Sequence, residues 1–105
     1  MAFQVRLTQH AKDEIDTAYS WLRERNSDYA DKWFRELMNE IATLQEKPKR
    51  CAIAPETDAF AEEIRQLMYG KPRNKYRILF AVREDAVFVL HVHHSSQSRL
   101  TDEER

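Results

Sequence analysis

The fold is decided in residues 76–94, where Tyr76-Arg77-Ile78-Leu79-Phe80-Ala81-Val82-Arg83 is joined by Glu84-Asp85 to Ala86-Val87-Phe88-Val89-Leu90-His91-Val92-His93-His94. Two runs rich in β-branched and aromatic residues, separated by a two-residue acidic turn, predict an antiparallel hairpin. With Glu84-Asp85 as the turn, Val82 faces Val87, Phe80 faces Val89, Ile78 faces His91 and Tyr76 faces His93. That set is aromatic and branched, so it is the side expected against a helical layer. The other side holds Ala81 with Phe88, Leu79 with Leu90, Arg77 with Val92 and Lys75 with His94. Arg77 and His94 thereby become diagonal neighbours on an open face.

Working outward, Glu63-Ile64-Arg65-Gln66-Leu67-Met68-Tyr69 supplies a third strand at about 63–69, and Gly70 to Lys75 form the basic connection into the hairpin. The stretch 48–62 holds Pro48, Pro55 and Asp58 with little periodicity, and reads as a surface loop with one helical turn at 57–62. At the start of the chain, Phe3, Val5 and Leu7 alternate with polar residues as in a half-buried strand. Thr8 is placed to cap a helix whose stripe is Ala11, Ile15, Ala18, Tyr19 and Leu22. Arg23 to Asn26 close it, and Ser27 or Asp28 caps a second helix with the stripe Ala30, Trp33, Phe34, Leu37, Ile41 and Leu44, which Pro48 stops. The order β-α-α-β-β-β predicts an α+β domain: an N-terminal strand and an antiparallel helix hairpin packed on one face of a small, mainly antiparallel sheet. Residues 1–94 form this single domain, and the polar residues 95–105 are expected to be a flexible tail.

Composition narrows the function. The 105 residues suffice for one domain, and the single cysteine, Cys51, excludes an internal disulfide and fits a cytoplasmic location. No apolar run approaches the ~20 residues of a membrane span, and the N-terminus has no signal-peptide pattern. The net charge of −1 hides an asymmetry. Residues 1–46 carry six Lys/Arg against nine Asp/Glu, whereas residues 47–99 carry ten against six. A basic half of this kind suits a polyanionic partner.

The candidate site follows from the hairpin. Arg77 suits a phosphate through its bidentate fork, His94 suits proton transfer near neutral pH, and Glu56 in the irregular loop suits a general base. Lys71, Arg73 and Lys75, with Arg65 on the preceding strand, would hold a nucleic-acid backbone. A base, an acid and a cationic stabiliser are the parts RNA needs for cleavage by its own 2′-hydroxyl, without a metal or other cofactor. Three histidines within four positions raise the question of a metal. Strand alternation leaves only His91 and His93 together, with no acidic third ligand in that run, so no metal site is expected. Leu79, Leu90 and Val92 on the open face form an apolar patch that needs a partner.

These residues resemble the RelE/ParE superfamily of toxins from bacterial type II toxin–antitoxin pairs over nearly the whole chain. The likeness rests on Leu7-Thr8 leading into a helix with Ala11, Tyr19 and Trp21, and on Ile64-Arg65-x-Leu67 before Gly70. It continues through Tyr76-Arg77-Ile78-Leu79-Phe80-x-Val82 and Val87-x-Val89-Leu90-x-Val92-x-His94. The resemblance implies the same α+β fold and a co-expressed antitoxin that covers the active surface in a hetero-oligomeric complex. In the RelE branch it implies cleavage of mRNA in the ribosomal A site, with Arg77 at the phosphate, His94 as a catalytic histidine and Pro55-Glu56 as the base-bearing loop. In the ParE branch it implies inhibition of DNA gyrase without nuclease chemistry. The chain has no tyrosine after Tyr76, where many RelE-type nucleases carry an essential one, and it is less basic than they are. The favoured expectation is a ribosome-dependent mRNA endonuclease. The alternatives are a ParE-like gyrase inhibitor and an inactive antitoxin-binding relative.

Overall fold

The computed structural model describes residues 2–72 and 74–95. Arg73 and the tail beyond Ser95 lie outside the described residues. Strand β1 (Gln4–Leu7) is followed by helices α1 (Gln9–Arg25) and α2 (Ser27–Ala42), then by strands β2 (Arg65–Tyr69), β3 (Tyr76–Arg83) and β4 (Ala86–His94). The α+β reading therefore holds, and the sheet order is β1-β4-β3-β2. β1 runs parallel to β4, while β2, β3 and β4 are antiparallel neighbours.

Local chemistry sets the helix ends. Thr8 Oγ1 accepts the Ala11 N–H at 3.2 Å and caps α1. Asn26 closes α1 through its N–H to the Leu22 carbonyl and opens α2 by accepting the Tyr29 N–H on Oδ1 at 3.0 Å. The second cap thus falls one residue before the expected Ser27. One residue serving both helices makes a tight hairpin. α2 ends at Ala42 rather than running on towards Pro48, which instead starts a short 3₁₀ turn, Pro48–Arg50. The helical turn expected at 57–62 is a 3₁₀ turn at Pro55–Ala59.

The hairpin register holds only near the turn. Val82 pairs with Val87, Ala81 with Phe88 and Phe80 with Val89, and then the ladder slips. Leu79 pairs with His91, Ile78 with Val92, Arg77 with His93 and Tyr76 with His94, leaving Leu90 as the extra residue of a β-bulge. The bulge sits where β1 stops. Thr8 leaves the sheet there, and its hydroxyl donates to the Val89 carbonyl at 2.9 Å while its N–H bonds the same oxygen. Among the described residues, β4 has no neighbouring strand on that side beyond that point. The slip transfers every residue after Leu90 to the opposite face from the one expected.

Two apolar clusters flank the sheet. On the helical side, Ala11, Ile15, Trp33, Leu37 and Ile41 meet Tyr76, Ile78, Phe80, Val87, Val89 and Val92. On the other side, Leu79 and Ala81 are buried beneath Ala54 and Ile64, with Phe60 and Leu90 at the margin. The irregular stretch is therefore a cover over the face expected to be open. It is held by Ala54 N–H to the Ile64 carbonyl, Gln66 N–H to the Ala52 carbonyl and a bridge between Ile53 and Arg65. Gly70 allows the β2–β3 turn: at its φ of 109° a Cβ would lie 2.4 Å from the Asn74 carbonyl oxygen.

Candidate functional site

Arg77, in the middle of β3, projects away from the helices as expected, into the layer formed by the covering segment. There Nη1 and Nη2 donate to the two carboxylate oxygens of Glu56 at 2.6 and 2.5 Å. Nε and Nη2 also donate to Gln66 Oε1 at 3.2 and 2.9 Å. Glu56 is only 3% exposed. The fork that would grip a phosphate is filled by the chain's own carboxylate, presented by the 3₁₀ turn at Pro55–Ala59. The structure thus brings Arg77 and Glu56 together, as an ion pair.

His94 is not with them. Because of the bulge it pairs with Tyr76 on the helical face, its ring edge-on to Tyr76 at 5.1 Å between centroids, with Nε2 3.4 Å from Asn74 Oδ1. The expectation that Arg77 and His94 share a face is therefore corrected, since one inserted residue in β4 moves the imidazole across the sheet. The apolar patch is corrected for two reasons. Leu79 is buried under the cover, and Val92 has passed to the helical face. Leu90, the bulged residue, is half-buried.

The expected nucleic-acid contacts separate as well. Arg65 is turned inward, donating to the Cys51 carbonyl at 2.6 Å and pairing with Glu63 at 2.9 Å, so it secures the covering segment. Lys71 is exposed and Lys75 half-buried, and among the described residues neither makes an ion pair. Arg73 lies outside the described residues.

A different polar centre stands at the free edge of β4. Glu14, one turn into α1, accepts the Val92 N–H on Oε1 at 2.9 Å, the bond a neighbouring strand would otherwise make. His93 Nε2 lies 2.5 Å from Glu14 Oε2, His91 Nδ1 3.4 Å from Oε1, and His10 Nε2 3.5 Å from Oε2. Burial by itself would raise the Glu14 carboxyl. The contacts from His91 and His93, the Val92 N–H and the charge of His93 outweigh it and hold the group down at about 2. An ionised carboxylate only accepts, so His93 Nε2 carries the hydrogen between them. Glu14 is the acidic partner that the His91-to-His94 run lacks by itself. Its sequence signal was faint: His10 and Glu14 are four apart on one helix face, 77 residues before His91.

The geometry can now be set beside known proteins. The family model described as "ParE toxin of type II toxin-antitoxin system, parDE" matches residues 5–99. The chain belongs to the ParE toxin family. The solved structure titled "Chromosomal ParDE TA system from P. aeruginosa" superposes with a TM-score of 0.68, at 16% identity, covering 89% of this chain and 96% of that one. At that identity the likeness speaks for the fold alone. No curated protein matches the sequence. This ParE-family chain is a toxin of a type II toxin–antitoxin system, paired with an antitoxin. Among the described residues, no helix of the toxin is long and apolar enough to cross a membrane.

Proposed function

We propose that this toxin acts without cutting RNA, by binding a protein target in the cytoplasm, and that the target is DNA gyrase, as its family membership suggests. One observation carries this reading. Arg77 is neutralised by Glu56 on one side of the sheet, while His94 stands on the other. Metal-free cleavage of RNA needs a base, an acid and an uncommitted cation converging on one phosphate. Here the base and the cation hold each other, and the imidazole is separated from them by the thickness of the sheet. On induction, supercoiling and DNA synthesis should fail while translation continues, as read by pulse-labelling with thymidine and methionine. Early translation arrest, with mRNA cut inside codons on the ribosome, would sink the proposal in favour of the nuclease reading.

The antitoxin surface moves with this reading. The sheet face carrying Leu79 is occupied by the toxin's own chain, so the antitoxin is assigned to the groove between α1 and the ends of β3 and β4. This groove encloses about 770 Å³ and includes Trp21, Leu22, Tyr29, Tyr76 and Val92 in its lining. Trp21 is 54% exposed, with the Arg25 guanidinium stacked 3.6 Å from its ring centroid. An exposed tryptophan beside an apolar groove is a typical binding hot spot, so Trp21→Ala should weaken antitoxin affinity roughly 30-fold or more. Calorimetric titration of the cognate antitoxin checks this, and unchanged affinity would remove the antitoxin from the groove.

A further inference from the structure

We propose that His10, Glu14 and His91 form a binding site for a divalent transition cation, zinc above all, at the unpaired edge of β4. The inference is independent of how the toxin acts on its target.

Three observations converge. The ligand atoms, one from each residue, all lie within 4.8 Å of one another. His10 Nε2 lies 3.5 Å from Glu14 Oε2, and His91 Nδ1 lies 3.4 Å from Oε1. Tetrahedral zinc with bonds of about 2.0–2.1 Å separates its ligand atoms by roughly 3.3–3.4 Å, so the imidazoles and one carboxylate oxygen are near that spacing and would close up around an ion. Second, His91 Nδ1 is buried yet makes no hydrogen bond of acceptable geometry, although Glu14 Oε1 is close. The 3.4 Å contact with Glu14 satisfies that buried nitrogen poorly, and a metal would take its lone pair directly. Third, the carboxylate is already oriented: the Val92 N–H holds Oε1 and His93 holds Oε2. Metal-ligating carboxylates and imidazoles characteristically have such outer partners.

The donor set selects the ion. Two imidazoles and one carboxylate suit zinc and its first-row neighbours, whereas magnesium and calcium prefer oxygen ligands throughout. His10 and Glu14 are one helical turn apart, and His91 comes from the strand that α1 flanks. A bound cation would tie the first turn of α1 to β4 just past its bulge. The His10 side chain is 62% exposed, so an ion can reach the site from solvent.

The test is calorimetric titration of the untagged full-length toxin with Zn²⁺ at neutral pH, alongside the visible spectrum of the Co²⁺-loaded chain. One equivalent should bind, raise the thermal midpoint and, with Co²⁺, show the d–d bands of low coordination number. Mg²⁺ should produce none of this. His10→Ala, on the surface and harmless to folding, should weaken Zn²⁺ roughly tenfold or more, as should His91→Ala. Cys51→Ser should bind as the parent does, which excludes the thiol. No saturable binding, or binding that survives both histidine substitutions unchanged, overturns the site.

Discussion

Glu56→Ala is expected to destabilise the toxin by about 3–5 kcal/mol, as much as truncating a large core side chain. The Glu56 side chain is 1% exposed and that of Arg77 13%. Removing the carboxylate leaves a largely buried guanidinium with, among the described residues, Gln66 to accept from it. Arg77→Ala should also destabilise, because it removes the guanidinium that bonds both oxygens of a buried carboxylate. The pair itself adds much less to stability than these figures suggest, because both charges lost their hydration on folding. The double substitution Glu56→Leu with Arg77→Met should therefore recover most of the loss. Urea unfolding of the three variants measures all of this. A single variant as stable as the parent would show that the pair is solvated and dispensable.

The same series bears on activity. Loss of growth arrest in Arg77→Ala alone cannot separate a missing catalyst from an unfolded protein. The folded double variant can. It should remain toxic if the toxin works by binding a target, and loss of toxicity in that stable protein would restore Arg77 or Glu56 to a chemical role.

Glu14→Ala is the second large effect, about 2–4 kcal/mol at pH 7, because it removes the acceptor of the Val92 N–H and the carboxylate beside His93 at the edge of the sheet. Part of this depends on charge, and its sign is determined. The Glu14 carboxyl falls from 4.5 to about 2 in the folded protein. A depressed carboxylate stabilises fully above its unfolded pKa and loses that contribution as pH drops towards the folded one. The difference between parent and variant should thus be constant from pH 7 to about 5 and shrink between pH 4.5 and 2. After allowance for partial exposure, that titrating share is about 1–3 kcal/mol. Equal stability at pH 7, or a difference that grows in acid, would show that Glu14 is not holding this edge.

Two features hidden from a first reading of the sequence had signals within it. Ala86 to Leu90 is an unbroken apolar run, and beyond it the next apolar residue is Val92, three places after Val89 rather than two or four. That change of phase is the trace of the bulge. The uninterrupted run Ile78-Leu79-Phe80-Ala81-Val82 is what a strand covered on both faces looks like, since a half-exposed strand alternates. Its cover was harder to see. Ala54, Phe60 and Ile64 are spaced irregularly, so neither a helical nor a strand period marks them as apolar contacts.

From the residues alone came the order of elements, the strands over 76–83 and 86–94, the caps at Thr8 and near Ser27, and the α+β architecture. All of these rest on periods and turns that act over a few neighbouring residues. What only tertiary structure decided was which side groups meet: Arg77 with Glu56, 21 residues apart, and Glu14 with His91 and His93, nearly the length of the domain apart. Alternation along a strand has a period of two, so a single inserted residue reverses every later assignment of face. That insertion is stabilised where β1 ends and the Thr8 hydroxyl reaches the Val89 carbonyl, a contact between chain segments 81 residues apart.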